Sequence, residues 1–342
     1  MVDESLKEYF KAQMPEIEED KIELLLSYSE EVPEFSEEEK KKILHAIDKI
    51  KILDPGCGSG AFPMGILHKL VYILQKIDPS NELWRELQFQ RAVKQSEEVF
   101  KEMDKDKRDE MLKEINEAFD ENINYPDYAR KLYLIENCIY GVDIQPIAIQ
   151  ISKLRFFISL VLDQKVDRTK ENFGIRALPN LETKFVSANT LIGLERPSQF
   201  TLRNPEIENK EKELKELRHR YFNAKTRTQK QRLQEKDKKI RDEIARLLIT
   251  DGWDKGTAEK IARFDLFDQN ASADWFDPEW MFGVVDGFDI VIGNPPYVRQ
   301  EKIKHIKDFL KKEGYQVYSL SLIHISEPTR LLSISYAVFC LK

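Results

Sequence analysis

Cysteine is scarce. The 342 residues hold three, Cys57, Cys138 and Cys340, in no paired framework and at no metal-ligand spacing. That excludes a disulfide-stapled scaffold and fits a reducing, cytoplasmic setting. Long apolar runs are missing as well. No stretch approaches the roughly 18 apolar residues of a membrane span. The opening "MVDESLKEYF" is acidic and lacks the apolar core of a signal peptide. A cytoplasmic chain with no membrane partner is expected. An excess of positive charge is also absent. The net charge is −7, so the molecule as a whole is not an obvious nucleic-acid binder and local patches matter more than the sum. No internal repeat is present.

What the chain does hold is enough apolar material for a core (41%) and a high charged fraction (34%) that suggests long solvated helices. Its length suits one large domain or two ordinary ones. Residues 1–45 carry 14 Asp or Glu against six Lys. Such a segment would repel a phosphate backbone and reads as a solvated, acidic helical lead-in, residues 1–48. "KIKILDPGCGSGAFPMGILHKLVYIL" (49–74) reads as strand, glycine turn and helix, with the strand at Ile50–Leu53 and Ile66, Leu70, Ile73 and Leu74 at helical spacing. Residues 78–132 are charged and read as a helical insertion.

"CIYGVDIQPIAIQISKLRFFISLVL" (138–162) repeats the pattern, with a strand ending at Asp143 and Pro146 opening a helix. Ile147, Ile151, Leu154, Ile158 and Val161 are expected as its buried stripe. A third strand is expected to end at Asn189. A fourth, "GFDIVIG" (287–293), is continuous and apolar, as a strand covered on both faces should be. Strands alternating with helices predict a doubly wound α/β sheet. Residues 204–249 read as a second helical insertion, a hairpin of two helices. Near its bend, "RHRYFNAKTRTQKQRLQ" (218–234) holds six Lys or Arg and no Asp or Glu. It either contacts DNA phosphates or is a solvated bend.

Chemistry concentrates at the strand ends. In "DPGCGSGAF" (54–62), Gly56, Gly58 and Gly60 allow a tight turn and close approach of backbone to a ligand. The spacing is G-x-G-x-G rather than the dinucleotide G-x-G-x-x-G, and Asp54 ends the strand just before it. A carboxylate there suits a ligand with a cationic or zwitterionic amino-acid end better than a pyrophosphate, which favours S-adenosyl-L-methionine. Asp143 could accept both ribose hydroxyls of an adenosine, or it is a helix cap. Ile144 could pack on the adenine face. Asn189 could hydrogen-bond the adenine or cap a following helix.

The fourth strand runs into Asn294-Pro295-Pro296-Tyr297. Proline cannot donate to a sheet ladder, so the strand must stop there. The Asn294 side-chain oxygen and the Pro295 carbonyl could both accept from an exocyclic N–H₂ and aim its lone pair at a methyl donor. Pro295 and Pro296 hold these acceptors still, which preorganised stabilisation requires. Tyr297 could stack on the base. A duplex base would have to be flipped out to reach the site.

At Asp54–Phe62, Gly141–Ile144 and Asn294–Tyr297 the sequence resembles the N6-adenine DNA methyltransferases. "ENCIYGVDIQPIAIQISKLR", "LPNLETKFVSANTLIGL" and "DQNASADWFDPEWMF" resemble, more narrowly, the large type IIG-like bacterial restriction–modification methylases. The resemblance covers about residues 49–305. It implies a class I S-adenosylmethionine-dependent methyltransferase fold, a Rossmann-like doubly wound sheet with helical insertions, here incomplete. It also implies that Asp54, Gly56, Cys57, Gly58, Ser59, Gly60 and Phe62 hold the methionine part of the cofactor. Asp143, Ile144 and Asn189 would hold its adenosine, although the family often has Asp at the position of Asn189. Double-stranded DNA with a flipped adenine is the implied partner, with a fused or separate nuclease and target-recognition domain. No cluster here suits a metal site. Residues 306–342 read as a truncated or read-through tail. The same four-residue motif also serves methylation of a protein glutamine or an RNA base, and a fragment acting only as a scaffold is the remaining alternative.

Overall fold

The computed structural model describes residues 1–99, 105–175, 178–194, 204–294 and 337–339, with 94–99, 105–111 and 337–339 described as backbone. In chain order the elements are α1 (Val2–Gln13), α2 (Glu19–Leu26), α3 (Glu37–Lys49), β1 (Ile52–Asp54), α4 (Ala61–Ile77), α5 (Glu82–Val99), α6 (Lys105–Ala118), α7 (Asp127–Asn137), β2 (Ile139–Asp143) and α8 (Pro146–Val161). Then follow β3 (Phe185–Ser187), α9 (Pro205–Phe222), α10 (Arg227–Thr250), α11 (Lys255–Arg263), α12 (Pro278–Phe282), β4 (Ile290–Gly293) and β5 (Ala337–Phe339).

The sheet has the order β3-β2-β1-β4-β5. β1 to β4 run parallel, and β5 lies antiparallel against β4, inside the stretch read from sequence as a tail. The chain enters at the centre, winds outward through β2 and β3, then returns to the other side of β1. Successive strand residues alternate between two cores, as a period of two demands. Ile52, Ile139, Phe185, Ile290 and Ile292 face a core shared with the first four helices, α7 and α8. Leu53, Tyr140, Val142 and Val186 face a second core built with α9 to α12. With helices on both faces the sheet is doubly wound, as expected. The strands are shorter than sequence suggested at their starts: β1 begins at Ile52 rather than Ile50, and β4 at Ile290 rather than Gly287.

The first 48 residues are not a solvated lead-in. Leu6, Phe10, Ile22, Leu25, Ile43 and Ile47 are buried and join the first core. Their helical spacing forms an apolar inner face that the acidic composition masks. Ser36 caps α3 in a full capping box with Glu39. Lys69, 1% exposed, ties this layer to α4: its ammonium lies 2.8 Å from Asp3, donates to the Leu26 carbonyl and sits 3.8 Å from the Tyr28 ring centroid.

α4 buries Ile66, Leu70, Ile73 and Leu74, the stripe its spacing predicts. α8 does the opposite. Ile147, Ile151, Leu154 and Ile158 point outward and are exposed, Val161 is half-buried, and the buried face is Ile149, Ser152, Lys153, Phe156, Ser159 and Leu160. Both faces of α8 are apolar enough to serve as core, so periodicity alone selected the wrong one.

α9 and α10 pack as the expected hairpin with its bend between Phe222 and Arg227. A buried charge triad fixes it. Asp237, fully buried, accepts from Arg218 Nε at 3.1 Å and Arg241 Nε at 2.6 Å. Arg218 also donates to the carbonyl of Trp280 at 2.6 Å, which joins the hairpin to α12. Arg218 is therefore withdrawn from the basic stretch. Tyr221 and Phe222 are buried as well and offer no stacking surface.

Candidate active site

The site is built on one edge of the sheet. Parallel β1, β2, β3 and β4 all end there, at Asp54, Asp143, Ser187 and Gly293. β2 and β3 lie to one side of β1 and β4 to the other, so the order reverses between β1 and β4. Open α/β sheets bind ligands in the crevice at such a reversal, outside the carboxyl ends of the strands.

The glycine loop joins β1 to α4. Gly58 (φ +51°) and Gly60 (φ +81°) adopt the left-handed backbone that L side chains avoid. Gly60 is the N-cap of α4. A Cβ there would stand 2.9 Å from Ser152 Oγ and 3.3 Å from Ser152 Cα, so this glycine lets α4 and α8 touch. Gly56 and Gly58 differ, since nothing lies within 4 Å of an added Cβ. The space beside their Cα atoms is open to a ligand. The loop is held from several sides. Cys57 N donates to Val142 O at 2.8 Å, Gly58 N donates to Asp143 Oδ2 at 2.9 Å, and Ser152 Oγ donates to Gly58 O at 2.8 Å. Arg155 Nη1 reaches Ser59 O at 3.0 Å. Ser152 and Arg155 lie one helical turn apart on α8. Neither stands out in the sequence, because their role exists only once α4 and α8 are in contact.

Asp54 is 2% exposed and accepts from Gly56 N at 3.1 Å. Burial pushes its carboxyl up to about 7, the nearby Asp143 adding to the rise. A carboxyl so poised gains from a cation placed beside it. Gly293 packs against it, with an added Cβ only 3.0 Å from Asp54 Oδ1. Asn294 follows at once and is exposed. The sheet thus brings Asp54 and the first residue of the Asn-Pro-Pro-Tyr motif together. Pro295, Pro296 and Tyr297 lie outside the described residues.

The other expected residues divide. Asp143 braces the loop: besides the Gly58 bond, its Oδ1 accepts from Gln145 N at 2.8 Å. It does not cap α8, whose N-cap is Gln145. Ile144 is 59% exposed beside it, an apolar surface free for a flat ligand. Cys57 is buried, and burial pushes its thiol up, which leaves it a packing residue against Gly141 and Ser152 rather than a nucleophile. Ser59 is exposed, and Phe62 is half-buried against the first core. Asn189 lies two residues past β3. Its Oδ1 accepts from Leu191 N at 3.1 Å and its N donates to Ala273 O at 3.0 Å. Residues 190–194, the stretch it would have capped, form a turn rather than a helix, so the capping alternative falls. The neighbouring Thr190 Oγ1 donates to Pro55 O at 3.1 Å and fastens this turn to the glycine loop.

Around the hairpin bend, Arg220, Lys225, Arg227 and Arg232 remain exposed, with Lys225 3.6 Å from Glu117. Among the described residues, no helix is long and apolar enough to cross a membrane.

A central parallel sheet in this order, with a glycine turn after β1 and acidic residues ending β1 and β2, defines a Rossmann-like fold of the methyltransferase type. The chain belongs to the Eco57I restriction-modification methylase family, whose model matches residues 137–326. It is also similar to a protein of Methanocaldococcus jannaschii named "Putative type II restriction enzyme and methyltransferase RM.MjaORFECS2P". The two are 30% identical over 159 residues, which are 45% of this chain and 10% of that protein. The chain thus matches about a tenth of that relative's length.

Proposed function

We propose that this chain carries the catalytic domain of a DNA methyltransferase that moves a methyl group from S-adenosyl-L-methionine to adenine N6, within a restriction–modification or phage-defence system. The catalytic domain would span residues 49–305, with residues 78–132 and 204–249 as helical insertions. One observation carries the reading: Asp54, the open glycine loop, Asp143 and Asn294 all stand at strand ends flanking the reversal of sheet order. Family membership supports it, and the relative's name supports DNA as substrate.

In this reading Asp54, Gly56, Cys57, Gly58, Ser59, Gly60 and Phe62 form the methionine side of the cofactor site. Asp143, Ile144 and Asn189 form the adenosine side. When bound, the cofactor supplies an electrophilic methyl on a sulfonium. Asn294 would accept a hydrogen bond from the adenine amino group and draw its lone pair out of conjugation with the ring. Pro295 and Pro296 would fix that acceptor, and Tyr297 would stack on the flipped base. No strong general base is needed, because the amino nitrogen becomes acidic once it is methylated. The partner would be double-stranded DNA, with nuclease and target-recognition functions in other parts of the whole protein or a companion.

The test uses the whole protein that contains this chain. Wild type should place methyl groups on adenine in duplex DNA, read by mass spectrometry of nucleosides. Asn294→Ala should keep cofactor binding by calorimetry and lose about 10²-fold or more of the methylation rate, the scale of removing one preorganised polar group. Unchanged methylation by Asn294→Ala, or methyl groups found on cytosine, RNA or protein glutamine instead, would overturn the proposal.

A further inference from the structure

The helical insertion of residues 78–132 holds a recess that the proposed methyl transfer does not use. It measures about 170 Å³ and lies between residues 80–85, at the start of α5, and residues 118–126, which lead from α6 to α7. A single buried water needs only about 10–15 Å³, so the recess has room for a group of several heavy atoms. Each wall contributes one buried asparagine. Asn81 is 8% exposed and Asn124 is 2% exposed. Asn81 Nδ2 donates to Pro126 O at 2.7 Å. Asn124 Nδ2 donates to Glu117 O at 3.0 Å and to Ala118 O at 3.2 Å. These bonds fix which end of each amide is the nitrogen. Both Oδ1 atoms are buried and accept no hydrogen bond among the described residues. Buried amide oxygens are as a rule paired, so two of them on one recess mark a place for a donor.

The floor is set in advance. Asp78 Oδ2 accepts from Trp84 N at 2.7 Å, Arg130 donates to the carbonyls of Asp78 and Pro79, and Asn81 is held at φ +66°. Little ordering is left for a ligand to bring about. The rim then selects the sign of charge. Glu82 and Glu121 stand exposed on it, and Asp120 is half-buried. Arg85, the cation among the lining residues, is committed elsewhere: it donates to Asn116 Oδ1 at 3.2 Å and lies 5.6 Å from the Phe89 ring centroid. An anion would meet three carboxylates against this one committed guanidinium. Phe119 and Tyr125 add aromatic surface. The chain already uses this rim for an ammonium of its own, since Lys165 lies 5.4 Å from the Tyr125 ring centroid and donates to the Glu121 carbonyl.

We propose that the recess is a binding site for a small organic cation rich in N–H donors, a guanidinium or primary amine on a short alkyl chain. Its head would donate to Asn81 Oδ1 and Asn124 Oδ1, and a planar fork of N–H groups suits two acceptors from different walls. Its methylenes would lie on Phe119 and Tyr125, and the three carboxylates would balance its charge. Occupancy would tie the start of α5 to the α6–α7 connection. The site belongs to the insertion rather than to the strand ends, so its test does not rest on the proposed reaction.

The experiment titrates agmatine, a guanidinium and an ammonium joined by a short alkyl chain, into the whole protein that contains this chain, followed by calorimetry. One molecule should bind per chain with a dissociation constant below about 1 mM. Asn81→Gly removes one acceptor while suiting the left-handed backbone, and should weaken binding about tenfold or more, the scale of a hydrogen bond to a charged group. Glu82→Gln combined with Glu121→Gln alters only exposed residues and should weaken it about threefold or more, with a shallower dependence on salt. Pentanoate, an anion on a chain of similar length, should not bind. No saturable binding of agmatine in the millimolar range would overturn the proposal. So would an affinity that neither change alters, or pentanoate binding as tightly as agmatine. Should Asn81→Gly fail to fold, the double glutamine variant decides alone, and an unchanged affinity in it overturns the proposal.

Discussion

Gly60→Ala is the sharpest probe of the glycine loop, because its cost has two separable parts. Gly60 sits at φ +81°, where an L residue costs about 1–2 kcal/mol. The new methyl carbon would also stand 2.9 Å from Ser152 Oγ, 3.2 Å from Ser152 Cβ and 3.3 Å from Ser152 Cα. Ser152 is fully buried and its hydroxyl holds Gly58 O. It can yield only by parting α8 from α4 or by giving up that bond, an overpacking cost of about 1–3 kcal/mol. The total, about 2–5 kcal/mol, is a large share of the 5–15 kcal/mol that usually holds a domain together. Urea denaturation of Gly60→Ala, Ser152→Gly and the double variant separates the two parts. The double-mutant cycle should return a coupling of about 1–3 kcal/mol, the steric share, while the left-handed share stays uncorrected. Gly56→Ala is the control, since an added Cβ there meets nothing within 4 Å and should change stability by about 0.5 kcal/mol or less. If Gly60→Ala is no worse than Gly56→Ala, or the coupling is near zero, α4 and α8 do not meet at this glycine and the geometry assigned to the loop is wrong.

Asp54 gives a pH prediction. Burial raises its carboxyl to about 7 in the folded state, so the fold binds more protons than the unfolded chain between about pH 4 and 7. Stability should therefore fall as pH rises through that window and level off above it, and Asp54→Asn should flatten the slope in urea titrations. Binding of a cationic ligand such as S-adenosyl-L-methionine should change in the opposite sense. It should weaken up to tenfold per pH unit below 7 and hold steady above, with the dependence lost in Asp54→Asn; calorimetry across pH 5.5–8 decides it. Asp237→Ala would leave the buried guanidiniums of Arg218 and Arg241 without their shared counter-charge. The expected loss is about 3–5 kcal/mol by urea denaturation, and a loss below about 1 kcal/mol would show that the triad is not what fixes the α9–α10 hairpin.

How much of this was legible beforehand differs by kind of signal. The strand–turn–helix at Asp54–Phe62 announces itself because three glycines between an apolar run and a helical period have few other uses. The end of β2 at Asp143 follows equally from composition, through Pro146 at the helix start. The start of β4 did not, because Gly287, Phe288 and Asp289 look like strand yet lie just before it. The acidic first 48 residues misled in a different way. Most of their charges lie on the outer face and their apolar positions are fewer, but most of those few are at helical spacing and are buried. Arg218 could not be told from its exposed neighbours in the basic stretch, since its partner Asp237 lies 19 residues on, across a bend. Loop contacts made by Ser152, Arg155 and Thr190 are tertiary throughout and leave no local mark.

The misassignment on α8 has a physical cause that also bears on what surrounds the domain. A surface helix of a globular protein carries one apolar stripe and one polar face, and periodicity finds the stripe. α8 carries two. Ile149, Phe156 and Leu160 form the face turned to the sheet, while Ile147, Ile151, Leu154, Ile158 and Leu162 form the other. Sequence periodicity picks the longer and more regular of the two, and that is the outer one. A helix apolar on both sides is what the interior of a larger assembly requires, with the sheet on one side and another layer on the other. Ser152 and Lys153 interrupt the inner face, which is why the stripe that meets the sheet is the harder of the two to see in the sequence.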